Sequence, residues 1–301
     1  MITQFSFRSL SMPLGMVVGA LFCRQITWLD GVSQGMLTPI FIFTMLFFTF
    51  CRVDARKIRF SMMHLWLILF QLVVALGVYY ALAWADVVVA QGAMICVLAP
   101  VAMAAVVIGG MLGANVETMA AYSLLCNLVI AIVAPYMLHA YGNGECTMMQ
   151  ILQKVSPLLI APFVAGQLCR FALPKVSQWV ADHSQISFYV WLLSLAVIVG
   201  KTTSFLLDTD ADLILEITLA TSSFIIFLLQ FKVGRIIGRR YGDAAAGGQS
   251  LGQKNTVLAV WMSQSFLDPI ASVAPTAYIV WQNIVNSYQI YRMESAKKRR
   301  S

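Results

Sequence analysis

Long apolar stretches separated by short polar ones run through the whole chain. They fall at about 10–27, 35–52, 62–84, 87–112, 118–139, 155–173, 187–206, 212–236, 249–267 and 270–291. Each approaches or exceeds the roughly 20 residues a helix needs to cross a bilayer, so the pattern predicts ten spans. The polar segments between them alternate in sign. CRVDARKIRF (51–60), CRFALPKVSQW (169–179) and KVGRIIGRRYGD (232–243) are basic, whereas AYGNGEC (140–146) and DTDAD (208–212) are acidic and WAD (84–86) has no basic residue. An even number of spans with both termini in the cytoplasm requires this alternation, because Lys and Arg collect in cytoplasmic loops. About sixteen of the 20 Lys and Arg fall on that side. The start, MITQFSFRSLSMPLGMVVGALFC, imitates a signal peptide, but bulky Leu21 and Phe22 stand before Cys23 where cleavage wants small residues. It is read as a retained first span.

Two of the expected spans are interrupted. The fourth, ICVLAPVAMAAVVIGGMLGAN (95–115), has Pro100 inside it and Gly109-Gly110 further on. The ninth, GQSLGQKNTVLAVW (248–261), has Gly252 and a polar cluster that includes Lys254. Proline removes a backbone donor and clashes with the preceding turn. Backbone freed this way at membrane depth is tolerated only beside protein or a water-filled cavity. The alternative is a simple proline kink in an ordinary helix. The most polar loop of the middle, near 140–150, leaves five spans on either side. An odd number per half forces the halves into opposite orientations, the plan of many transporters. The expected architecture is an all-α membrane protein of ten transmembrane helices in two inverted five-helix repeats, residues 1–141 and 142–295, with helices four and nine broken and crossing. A basic cytoplasmic tail, 296–301, follows.

Composition supports the membrane reading: 60% of residues are hydrophobic and 11% charged, against roughly a quarter charged in soluble domains. The net charge of +7 follows from the basic cytoplasmic loops and implies no nucleic-acid partner. The six cysteines (Cys23, Cys51, Cys96, Cys126, Cys146, Cys169) are scattered, and His64, His139 and His183 stand far apart. Neither set has metal-ligand spacing, and no cofactor is implied. An intramembrane enzyme would need a nucleophile–base pair, paired aspartates or HExxH, and none is present. A channel would need a filter sequence.

At the two interrupted spans the sequence resembles the bile acid:sodium symporter family, ten-span secondary transporters with two crossing broken helices. The family's fourth span carries a segment like APGGTASNVMTYLAKGN; APVAMAAVVIGGMLGAN (99–115) keeps its frame at Ala99, Pro100, Asn115 and Val116. The family's ninth span carries EVGxQNxxLA; SLGQKNTVLA (250–259) keeps Gly252, Asn255, Leu258 and Ala259. PTAYIVWQNIVNS (275–287) looks like the family's proline-led last span. The departures fall on the sodium ligands that the resemblance implies. The family's Ser-Asn pair on the fourth span falls on Ala105 and Val106, its ninth-span glutamate on Ser250, and its glutamine before the asparagine on Lys254. Ser123 on the fifth span and Gln71 on the third match polar positions of the family. Sodium wants several oxygens, preferably with negative charge nearby, so a family-type sodium site is not expected.

The resemblance implies a secondary transporter of a small organic anion in a bilayer, of the bacterial inner membrane type, sodium-independent, with Lys254 supplying the positive charge of a bound cation. A sodium-coupled symporter with rearranged ligands is the alternative, and a non-transporting receptor is a further one, although no loop exceeds about twenty residues. No carboxylate lies in the spans around Lys254; Asp243 and Asp268 stand near opposite faces. The expected partners of Lys254 are therefore carbonyls at helix C-terminal ends, Ser250, Gln71 and Ser123. Snorkelling to the cytoplasmic interface is the competing role. The other candidate binding positions are Asn127, Gln253, Gln282 and Asn283, the last two competing with plain interhelical hydrogen bonding. Trp261 and Trp281 are read as packing or interface residues.

Overall fold

The computed structural model describes residues 7–51, 54, 56, 59–183, 185–208 and 212–298. The chain is 85% helical, with no strand among the described residues. In order, the helices are α1 (Phe7–Leu21), α2 (Cys23–Val32), α3 (Leu37–Phe50), α4 (Met62–Leu82), α5 (Val87–Leu98), α6 (Met103–Met111) and α7 (Val116–Tyr141). Then come α8 (Met148–Ala172), α9 (Pro174–Asp182), α10 (Gln185–Asp208), α11 (Leu213–Arg240), α12 (Ala244–Gly252), α13 (Thr256–Phe266) and α14 (Val273–Lys298). Polar residues set the starts. Asp86 accepts from Val89 N at 2.9 Å, Asn115 from Thr118 N at 3.0 Å and Asp212 from Ile214 N at 3.0 Å. Each satisfies a donor that the first helical turn leaves free.

Every stretch expected to span is helical, and α9 adds a short amphipathic helix inside the basic segment 169–179. Among the described residues, five helices are long and apolar enough to cross a membrane, six if α2 and α3, bent by 86° at their junction, count as one. That is fewer than the ten stretches expected, for a physical reason. Three of the stretches are each split into short helices, α1/α2, α5/α6 and α12/α13, α3 has only 14 residues, and α14, although 26 residues long, carries too many polar residues. Residues 1–6, most of the basic loop 52–58, residues 209–211 of the acidic loop and residues 299–301 of the basic tail lie outside the described residues.

The helices form two compact units. The first comprises residues 1–53 and 161–211. Its α1 packs on α10 at Gly19, where a Cβ would collide with the Ala196 backbone. Lys201 of α10 pairs with Asp30 of α2 at 2.5 Å, largely buried, and Arg24 pairs with Asp208 at 2.6 Å on the surface. Elsewhere in the unit Gln167 and Ser177 donate to the carbonyls of Phe50 and Cys51, at 2.9 and 3.0 Å.

The second unit comprises residues 54–160 and 212–301. Its tightest helix contact is α12 on α11. Gly234 and Gly238, one turn apart on α11, face Gly247 of α12, and a Cβ on any of them would strike the backbone opposite. Small residues at this spacing let two helix backbones approach closely in a membrane. Hydrogen bonds gather the loops of the unit at two ends. At one, Asp243 accepts from Ala246 N and Asn115 N, both at 2.7 Å. At the other, Gln91 donates to the Tyr141 carbonyl at 2.8 Å and accepts from Asp268 N at 2.9 Å, while Asn143 N donates to the Phe266 carbonyl at 3.2 Å.

Candidate functional site: the meeting of two broken helices

Pro100 cannot supply the N–H that would continue α5, so the helix stops at Leu98 and resumes as α6 at Met103. The second break, residues 253–255 between α12 and α13, lies directly against the first. Ala102 N donates to the Gln253 carbonyl at 2.9 Å and Asn255 N to the Pro100 carbonyl at 2.8 Å, making an antiparallel bridge between Val101 and Lys254. Each interruption thus satisfies backbone groups that the other leaves free. Asn255 then starts α13 by accepting from Leu258 N at 3.2 Å. Gly252 ends α12 where a Cβ would run into the ring of Phe231.

The end of α5 is the focus of the site. Four successive carbonyls there accept side-chain donors from three different places. Cys96 takes Gln230 Nε2 of α11 at 3.3 Å, and Val97 takes Lys254 Nζ at 2.9 Å. Leu98 and Ala99 share Gln71 Nε2 of α4, at 2.9 and 3.0 Å. The last carbonyls of a helix have no intrahelical partner and carry partial negative charge, so a lysine nitrogen meets an electrostatically favourable position. Gln71 is held in turn by the Tyr122 hydroxyl, which donates to Oε1 at 3.0 Å. Tyr278 of α14 closes the other side. Its hydroxyl donates to the Gly252 carbonyl at 2.8 Å and accepts from Gln230 at 3.0 Å. Lys254 N donates to Gln282 Oε1 at 3.2 Å, and the Lys254 side chain is 1% exposed.

Residues 39–209, more than half of the chain, match the model of the Sodium Bile acid symporter family. The chain belongs to that family. It is a multi-pass integral membrane transporter of the sodium/bile acid symporter type, and the family's members are secondary transporters. No curated protein matches the chain. The matched segment includes the first break; the second, with Lys254, lies beyond it.

The transporter places the expected site residues unevenly. Pro100, Gln253, Lys254, Asn255, Gln71 and Gln282 all take part in the hydrogen bonds of the crossing. Lys254 Nζ bonds to a carbonyl at a helix C-terminal end, that of Val97, as expected, but the expected side-chain partners need correction: Gln71 holds the two carbonyls beside it. Ser250 Oγ is buried without a hydrogen-bond partner, and the Ser123 carbonyl accepts from Asn127 Nδ2 at 2.7 Å. Snorkelling does not occur, since Lys254 is enclosed at the break. Ala105 is buried and Val106 half-buried on α6, and neither offers a side-chain oxygen. Asn127 Oδ1 and Gln253 Nε2 are buried without partners. Asn283 is half-buried and takes no part in the crossing; Asn286, one turn beyond Gln282, is buried with both polar side-chain atoms unpartnered. Trp261 packs edge-on against Phe266, and Trp281 Nε1 reaches the Ala220 carbonyl and Ser223 Oγ at 3.3 and 3.2 Å.

Gln230 and Tyr278 were not anticipated. The signal was present in FIIFLLQFKV, where a lone amide interrupts an apolar run. A polar residue inside a span is itself a pointer to a site.

Proposed function

We propose that the protein is a sodium-independent secondary transporter of a small organic anion, in which the Lys254 ammonium takes the place of a bound cation between the broken helices. The observation that carries this reading is the contact of Lys254 Nζ with the Val97 carbonyl at the C-terminal end of α5. A cation tethered there supplies the positive charge that a coupling ion would otherwise bring, and the crossing stays closed without one. A charge-assisted hydrogen bond of this kind contributes about 1.5–3 kcal/mol. Ser250, Ala105 and Val106 offer no carboxylate and only one side-chain oxygen among them, a poor set for a hard cation.

The finer architecture of the proposal is ten spans in two inverted repeats of five, with both termini in the cytoplasm of a bacterium. Two observations support it. The compact units pair the first two expected spans with much of the sixth and the seventh, and the third to fifth with the eighth to tenth, the grouping that a five-span repeat produces. The hydrogen-bonded ends of the second unit also sort as the charge alternation expects: Asn115 with Asp243, and Tyr141 and Asn143 with the 266–268 turn.

A second reading, sodium coupling through rearranged ligands, is favoured by the buried and unpartnered oxygens Asn127 Oδ1 and Ser250 Oγ. Uptake by proteoliposomes separates the two. A panel of small carboxylic acids is offered in sodium or choline salt to wild type and Lys254→Ala. Uptake of an acid at equal rates in both salts, reduced at least about tenfold in Lys254→Ala, is the expected outcome; that factor corresponds to about 1.4 kcal/mol. Uptake that requires sodium supports the second reading, and normal uptake by Lys254→Ala removes the lysine from the mechanism.

A further inference from the structure

A cavity of about 410 Å³ lies between α4 and the C-terminal end of α11, and none of its lining residues is among those that hydrogen-bond at the crossing. Its α4 wall is a single helix face, Trp66, Leu69, Phe70, Val73 and Val74, spaced as one side of a helix requires. Its α11 wall is Ile237, Arg240 and Tyr241. The two ends of this groove differ. Trp66 stands in the second turn of α4 and Arg240 in the last turn of α11, so the mouth lies where both helices end. Val73 and Val74 lie about 12 Å further along α4, at 1.5 Å per residue, so the groove runs from a basic, aromatic mouth to an aliphatic floor. Trp66, Leu69, Val73 and Tyr241 are all substantially exposed.

Arg240 has no ion pair among the described residues. The nearest carboxylate in sequence, Asp243, is turned away to the amides of Ala246 and Asn115. A guanidinium left unpaired at the rim of an apolar groove, flanked by Trp66 and Tyr241, has the chemistry of a headgroup site. Arginine binds phosphate through two parallel hydrogen bonds. Tryptophan and tyrosine favour the headgroup level of a bilayer, and basic pockets between membrane helices recognise anionic lipid heads.

We propose that this groove binds one anionic phospholipid, its phosphate on Arg240 and one acyl chain along Leu69, Val73 and Ile237. Arg235 and Arg239 are also exposed near this end of α11 but do not line the groove. Selectivity for the anionic head therefore depends on Arg240 rather than on the general basicity of the helix end.

Native mass spectrometry of the purified full chain, titrated with phosphatidylglycerol or with phosphatidylcholine of the same acyl chains, tests this. One phosphatidylglycerol should bind about five-fold more tightly than phosphatidylcholine, the factor a single interfacial arginine supplies. Arg240→Gln should abolish that preference, whereas Arg239→Gln should retain it. Val73→Trp, a change at an exposed position, should weaken both lipids by filling the floor. Equal binding of the two lipids, equal loss from the Arg239 and Arg240 variants, or displacement of the lipid by short organic acids would each overturn the proposal.

Discussion

Gln71→Leu probes the arrangement around the end of α5 with little change of volume. In the native protein Gln71 Nε2 serves two carbonyls, Leu98 and Ala99, and its Oε1 accepts from the Tyr122 hydroxyl and, at 3.5 Å, from Cys126 Sγ. The residue is 1% exposed, so neither water nor lipid can take over. Leucine leaves two buried carbonyls and one hydroxyl without partners. Net hydrogen bonds contribute about 1 kcal/mol each, and an unsatisfied buried group costs about 1–3 kcal/mol. Allowing the two carbonyls to relax together, the expected loss is about 2–4 kcal/mol. For a chain of this length that corresponds to a fall of about 3–6 °C in melting temperature. Tyr122→Phe removes only one of the four bonds and should cost about 1 kcal/mol. In the double variant the second change should add almost nothing, because the hydroxyl has already lost its acceptor. Thermal melts in one detergent, read by intrinsic fluorescence, measure all three. A Gln71→Leu melt within about 1 °C of wild type, or strict additivity in the double variant, would refute the described role of Gln71.

Tyr278→Phe leaves the Gly252 carbonyl without its hydroxyl donor and should cost about 1–3 kcal/mol; a melt indistinguishable from wild type would mean that the clamp on α12 is not under load. In the first unit, Asp30→Asn strands Lys201 without its counter-charge and should cost about 3 kcal/mol or more. The paired change Asp30→Leu with Lys201→Met should be better tolerated, since it removes both buried charges, and a worse melt for the pair than for Asp30→Asn would show that the ion pair is itself a net source of stability.

The two breaks were legible because their causes are local. Pro100 has no N–H, and Gly252 and Asn255 flank a polar step in an apolar run. Their mutual contact was legible only through the family resemblance, because an antiparallel bridge between residues about 150 apart leaves no periodic signal. Lys254 stood out for its charge, and a carbonyl at a helix end was the expected kind of partner, but which carbonyl was not legible, because Val97 looks like any other valine. Ser250 and Ser123 were natural guesses because side-chain oxygens are visible in the sequence and main-chain ones are not.

The close packing of α12 on α11 was readable in principle from Gly234 and Gly238 at a spacing of four, but only the fold shows that they face Gly247. The five or six helices recognisable by length and apolarity among the described residues fall short of the stretches marked by charge alternation because broken helices fail a length test and the polar residues of α14 fail the apolarity test. Alternation survives such breaks, since it depends on which face each loop occupies and not on how straight the intervening helix is.

The central claim is that Lys254 does the work of a bound cation, and melting temperature in matched sodium and choline chloride tests it most directly. A ligand that binds only the folded state stabilises by RT ln(1 + [L]/Kd), about 2.7 kcal/mol at a hundred times Kd. Wild-type melts should coincide in the two salts. Lys254→Gln with Ser250→Glu, which restores the residues of the symporter pattern, should acquire a sodium-specific rise, limited because Ala105 and Val106 still lack side-chain oxygens. A reproducible rise of several degrees in sodium for the wild type would contradict the claim, because the tethered ammonium and a sodium ion cannot both hold that place.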